Sequence, residues 1–92
     1  MENLKIENPE DWDSVSLNLR LLINKMPEFY NDYLRIRKNL EIKIKELAVI
    51  DTSLRRHETL YHQQLREEKL KEINNITRTF SKMYLIASLA KR

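Results

Sequence analysis

The chain of 92 residues contains no cysteine and no glycine, and it has only two prolines. The absence of cysteine excludes disulfides and thiolate metal ligands. Without glycine, the chain lacks the residue that most often ends helices and forms tight turns, and it has no glycine-rich phosphate loop. The composition therefore predicts long helices joined by few connections.

No run of apolar residues is long enough to cross a membrane, and the first residues lack the basic start and apolar stretch of a signal peptide. We therefore expect a soluble intracellular protein, cytoplasmic or nuclear, with no membrane partner. A chain this short has little room for a core of its own. Since disulfides are excluded, we expect it to be stabilised by oligomerisation or by a partner chain.

Charge is distributed unevenly along the sequence. Residues 1–32 hold seven acidic and three basic residues, whereas residues 33–45 hold five basic residues and one acidic residue. An acidic head and a basic body favour pairing between chains, or contact between the body and an anionic polymer.

Residues 1–8 show no hydrophobic periodicity and are predicted to be flexible. Asn8 is a suitable helix cap, and Pro9 suits the first helical position. The apolar residues that follow recur at helical spacing: Trp12, Val15, Leu19 and Leu22. This spacing predicts a short amphipathic helix over residues 9–25, which Pro27 then interrupts because proline breaks the hydrogen-bond ladder.

After Pro27 a seven-residue repeat indicates a coiled coil. Its first series is Met26, Tyr33, Leu40, Leu47, Leu54 and Tyr61, and the apolar companions three residues on are Phe29, Ile36 and Ile50. Lys43, His57 and Gln64 are polar companions, and we expect Ile44 to cover the gap at Lys43. The pattern predicts one helix over residues 27–90, about 95 Å long, with a register shift near residues 62–72.

Two short polar stretches are the alternative turns within this helix. Asp51–Ser53 and Asn74–Asn75 could each reverse the chain, but both lie inside a continuing apolar stripe. The continuing stripe argues against a turn, but a compact three-helix fold with a turn near residues 51–53 stays open as an alternative.

Candidate catalytic residues are few. His57 and His62 are five residues apart, which places them about 140° apart around a helix instead of on one face, so no metal site is predicted. The carboxylates lie in charged contexts without the shaped, partly dry pocket that acid–base catalysis needs. We therefore expect no enzymatic activity, no cofactor and no small-molecule substrate.

The sequence thus predicts an all-α structural or interaction protein: a coiled-coil subunit, adaptor or assembly factor. Its partner is expected to be a second copy or another helical protein. The predicted partner-binding residues are Met26, Phe29, Tyr33, Ile36, Leu40, Leu47, Ile50, Leu54 and Tyr61. The alternative is an oligomeric accessory protein that binds nucleic acid through Arg35, Arg37, Lys38, Lys43 and Lys45.

Overall fold

The computed structural model describes residues 4–56 and 59–90, and the described residues contain helices but no strand. A 3₁₀ turn, Pro9–Asp11, leads into helix α1, Trp12–Asn24. A second 3₁₀ turn, Pro27–Phe29, leads into helix α2, Tyr30–Arg56, and helix α3 spans Leu60–Ala90. The predicted all-α class and the short first helix are confirmed.

The break between α1 and α2 lies where Pro27 predicts it. Helix α1 ends at Asn24, and Met26 adopts a non-helical backbone (φ −139°, ψ 68°). The proline ring disfavours the helical conformation for the residue before it. Pro27 then opens the following 3₁₀ turn, where its missing N–H would have had no helical partner.

The single helix predicted over residues 27–90 is wrong, because the structure has two helices that pack antiparallel. Three ion pairs show the direction. Asp51 pairs with Arg66 (2.6 Å), Glu46 with Lys69 (2.6 Å), and Lys43 with Glu72 (3.0 Å). The position on α3 advances as the position on α2 recedes, so α3 runs back along α2.

Neither of the alternative turns is the place where the chain reverses. Asp51–Ser53 lies within α2, and Asn74–Asn75 lies within α3. Helix α2 ends with Arg55 and Arg56 in its last turn, where the helix dipole favours cations. Thr59 caps α3, since its Oγ1 accepts the backbone N–H of His62 at 3.3 Å. The apolar stripe changes register near residues 62–72 because a second helix has begun, not because a coiled coil is locally unwound.

The N-terminal segment 4–8, predicted to be flexible, packs against the helices. Leu4 and Ile6 are buried, with Ile6 only 1% exposed. The Asp11 carboxylate accepts the backbone N–H groups of Glu7 (2.8 Å) and Asn8 (3.0 Å), and these bonds lower the pKa of Asp11. The prediction is therefore wrong for residues 4–8, while residues 1–3 lie outside the described residues.

The core contains residues from all three helices and from the N-terminal segment. Its fully buried side chains include Leu19, Leu40, Leu47 and Ile73, and Ile44 is buried as expected. The bundle measures 51 × 20 × 16 Å, about half the length that a continuous helix would reach. The compact three-helix alternative describes this structure better than a rod does, although its turn near residues 51–53 is wrong because that stretch lies within α2.

Candidate interaction surface

The first four residues of the first heptad series pack within the chain. Met26, Tyr33, Leu40 and Leu47 are buried. Tyr33 contacts Phe80 of α3, with ring centroids 6.5 Å apart, and Leu40 and Leu47 belong to the same core cluster as Ile73 and Phe80. The partner assigned to these four residues from the sequence therefore needs correction. Helix α3 of the same chain covers Tyr33, Leu40 and Leu47, and Met26 lines a small pocket with Phe80 and Met83 of α3, so the four are not on a free surface.

The other predicted seam residues are covered to different extents. Phe29 and Ile36 are partly buried and pack against the core, and Ile50 and Leu54 are also partly buried. Tyr61 is 65% exposed and contacts the ring of His62 edge-on, with centroids 5.5 Å apart. Of the nine predicted residues, Tyr61 alone lies mainly in solvent.

Three of the five basic residues proposed for nucleic acid are already paired with carboxylates. Arg35 bonds Asp32 (2.8 Å), and Arg37 bonds Glu41 (3.1 Å). Lys43 bonds Glu72 of α3 (3.0 Å). Each of these pairs neutralises the local charge that a phosphate would need.

Lys38 and Lys45 differ from those three cations. Both are exposed, and neither has an ion pair among the described residues. They are seven residues apart, so they lie on one face of α2. Of the five predicted cations, these two therefore share one face of α2 and have no carboxylate partner among the described residues.

A network of ions crosses from α2 to α3. The Glu72 carboxylate accepts a hydrogen bond from Lys43 and lies 3.5 Å from Lys69, which also bonds Glu46. The bond from Lys43, with the charge of Lys69, lowers the pKa of Glu72. The bond to Glu46 raises the pKa of Lys69. Both shifts favour the charged forms in the folded state.

Only one of the two histidines, His62, lies within the described residues. His62 lies in the first turn of α3, where its Nδ1 is 2.6 Å from the Thr59 hydroxyl, and His57 lies outside the described residues. Within residues 4–56 and 59–90, no group of three or more histidine, aspartate or glutamate side chains could hold a metal ion.

An open groove lies between the C-terminal ends of α1 and α3. It has a volume of about 610 Å³ and a mainly apolar lining. Its apolar walls are Leu22 of α1 with Tyr84 and Leu85 of α3, and its polar lining residues are Lys25, Arg78, Ser81 and Lys82. No carboxylate of residues 4–56 or 59–90 lines it, so the described lining combines an apolar floor with positive charge.

Exposed large apolar side chains extend from this groove on both helices. Leu85, Ile86 and Leu89 at the end of α3 are each more than half exposed, at 51%, 68% and 58%. On α1, Leu17 and Leu21 are also exposed and lie one turn apart, in line with Lys25. We call the groove and these five residues the α1/α3 face.

Reasoning from the sequence missed this face, although a signal was present. None of the chain's 14 acidic residues lies within residues 14–27 or 73–92. Both stretches are amphipathic, so their apolar residues were interpreted as core. The absence of acidic residues means that their charged side chains are all positive. That the two stretches meet could be learned only from the fold.

No helix among the described residues is long and apolar enough to span a bilayer. The fold is an all-α three-helix bundle with an exposed apolar and basic face. No protein-family profile matches the chain, and neither a curated protein nor a solved structure is significantly similar to it.

Proposed function

We propose that the protein is a non-enzymatic interaction protein, an adaptor or complex subunit, that binds another helical protein. The observation that carries this proposal is the exposed apolar end of α3. Ile86 and Leu89 leave more than half of their surface in water, and no described residue covers them. Contiguous exposed apolar side chains are a typical mark of a protein–protein contact.

The interior of the bundle supports a role without catalysis. Among the described residues, Thr77 is the one buried polar side chain, and its hydroxyl donates to the Asn74 carbonyl oxygen at 3.0 Å. A catalytic acid or base needs a titratable group held in a partly dry site. The perturbed carboxylates, Asp11 and Glu72, lie at the surface in hydrogen bonds that stabilise local structure.

The proposed partner surface is the α1/α3 face and not the heptad seam, whose central residues face α3. A partner that replaced α3 on the seam would have to expose Ile73 and Phe80. Burying such side chains is worth roughly 1.5–3 kcal/mol each, so the exchange costs more than docking on a face that is already exposed. The cytoplasmic or nuclear location stays a prediction.

Site-specific cross-linking tests the proposal in cells that express the gene. A photoreactive amino acid replaces Ile86 or Leu89, and in the control it replaces Glu67, which is exposed on a charged stretch of the same helix. We expect one discrete adduct from positions 86 and 89 and none from position 67. Adducts that are absent at all three positions, or equal at all three, would contradict a specific partner.

Nucleic-acid binding is the second candidate, favoured by the free charges of Lys38 and Lys45 on one face of α2. The test is a salt titration with DNA and RNA, single- and double-stranded. If phosphates bind there, Lys38→Glu with Lys45→Glu should abolish binding, and each lost contact should reduce the salt slope by about 0.7–0.9. Reversing Arg35, already paired with Asp32, is the control and should change binding less. Absence of wild-type binding at low salt would exclude this function.

A further inference from the structure

The α1/α3 groove is the continuation of a channel that the N-terminal segment fills. The segment packs along α3: Arg66 Nη2 donates to the Glu7 carbonyl oxygen (2.8 Å), and Asn74 bonds the backbone of Ile6. Leu4 lies further along, beside Arg78 and Ser81. Beyond Ser81 the described segment ends, and no described residue fills the channel between the helices.

The two walls of the open part run in the same direction. The start of α1 lies near Arg66, through the bonds of that side chain to Glu7 and Asn8, and the end of α1 lies near Tyr84. Helix α3 passes from Arg66 to Tyr84 as well, so α1 and α3 are parallel. A groove between two helices accommodates a third, whose apolar side chains enter between the two ridges.

Among the described residues, the charged side chains that line the groove are all positive. The side chains of Lys25, Arg78 and Lys82 make no hydrogen bond or ion pair with the described part of the chain. The nearest acids after α1, Glu28 and Asp32, are at the start of α2 and do not line the groove. Three unpaired cations around an apolar floor are complementary to an anionic ligand with an apolar side.

We propose that this groove binds an acidic amphipathic helix of a partner protein. This inference rests on the proposed function and names the partner's chemistry. Leucine-type side chains of the partner would pack on Leu22, Tyr84 and Leu85, and its flanking carboxylates would pair with the three cations. Leu21 and Leu89 extend the contact, since they lie one turn from Lys25 and Leu85 on their helices.

A synthetic peptide is the probe. It has about 18 residues, five helical turns, with leucine at helical spacing and glutamate beside the leucines. The control peptide has lysine in place of every glutamate. Titrated into the isotope-labelled full chain, the acidic peptide should shift the amide signals of Lys25, Arg78, Lys82 and Leu85, and the basic peptide should not.

Charge reversal supplies the matched variants. The double variant Arg78→Glu with Lys82→Glu should lower the affinity for the acidic peptide by about tenfold or more, because two attractive contacts become repulsive. Lys38→Glu with Lys45→Glu changes the net charge equally but on the free face of α2, and should change the affinity by less than about twofold. All four positions are exposed to solvent or lie at the groove rim, so the fold should be retained in both variants.

Other occupants give different results. Equal binding of both peptides, or equal effects of both double variants, would overturn the proposal. So would binding to phosphatidylglycerol vesicles without binding to the peptide, or self-association that Arg78→Glu with Lys82→Glu removes. If the peptide bound only after deletion of residues 1–3, the occupant of the groove would be these residues of the same chain and the proposal would be wrong. A cross-link from position 89 without peptide binding overturns this inference alone, whereas failure of both overturns the proposed function.

Discussion

The side-chain amide of Asn74 holds both backbone groups of Ile6. Asn74 Oδ1 accepts the Ile6 N–H at 2.8 Å, and Asn74 Nδ2 donates to the Ile6 carbonyl oxygen at 2.8 Å. The same Nδ2 donates to the Leu70 carbonyl oxygen at 2.9 Å. An amide in the middle of α3 thereby acts as a strand-like partner for an extended segment, and it allows Ile6 to be buried without unsatisfied backbone groups.

Asn74→Ala should release the N-terminal segment. Two buried backbone groups lose their partners, so we expect a loss of about 2 kcal/mol in the free energy of unfolding, measured by urea denaturation. Hydrogen exchange of the Ile6 amide should accelerate. Asn75→Ala is the control, since Asn75 is exposed, and it should be neutral or slightly stabilising because alanine is the better helix former. Similar results for both variants would disprove the role of the Asn74 side chain.

Leu47→Ala distinguishes an internal seam from an intermolecular one. Leu47 is fully buried against α3, so the substitution should cost about 2–5 kcal/mol of stability. The mass of the folded protein, from sedimentation, should not change. Val49→Ala, at a side chain 65% exposed, should cost less than about 0.5 kcal/mol. A decrease in assembly mass caused by Leu47→Ala alone would restore the seam as a contact between chains.

Pro27→Ala should leave the molecule folded back on itself. Fusing α1 to α2 would gain one or two backbone hydrogen bonds, each worth about 1 kcal/mol. A straight fused helix would expose Val15, Leu19, Leu22 and Ile23, at roughly 1.5–3 kcal/mol each. The loss of burial therefore outweighs the gain in hydrogen bonding. Small-angle scattering should show an unchanged maximum dimension, and a clear increase would mean that α1 is held only by the proline.

Glu72 should contribute stability that depends on pH. Its folded-state pKa lies below the ordinary value of 4.5, mainly because Lys43 donates a hydrogen bond to the carboxylate. The charge of Lys69 lowers this pKa by a smaller amount. A lowered pKa stabilises the folded protein above pH 4.5, and this contribution is lost as the pH falls through the lower, folded value. Half of the side chain is exposed, so the contribution is at most about 1 kcal/mol.

The measurement is urea unfolding of the wild type and Glu72→Gln across pH 2–7. The two stability curves should differ at neutral pH and converge in acid. Glu67→Gln, at an exposed position without an ion pair among the described residues, should follow the wild type throughout. A constant difference between wild type and Glu72→Gln at every pH would show that the ion pair is not its cause.

The heptad series illustrates how far the sequence determines contacts. Met26, Tyr33, Leu40 and Leu47 had to be covered by another helix, because their spacing places them on one apolar stripe. The spacing does not state which chain supplies that helix. The covering helix is α3 of the same chain, which contributes Ile73 and Phe80. Ile73 lies 33 residues after Leu40 in the sequence, and Phe80 lies 47 residues after Tyr33. Their own stripe was visible as a change of register, but a new helix and a coiled-coil irregularity give the same pattern.

The sequence by itself determined the helical class, the short first helix with its apolar face, and the break at Pro27. These depend on side-chain periodicity and on proline geometry, which act over a few residues. The tertiary structure alone decided the pairing of α2 with α3, the binding of Ile6 by Asn74, and the meeting of two acid-free stretches in one groove. Each of these joins residues distant in the chain, and their contacts form only when the helices pack to remove a shared apolar surface from water.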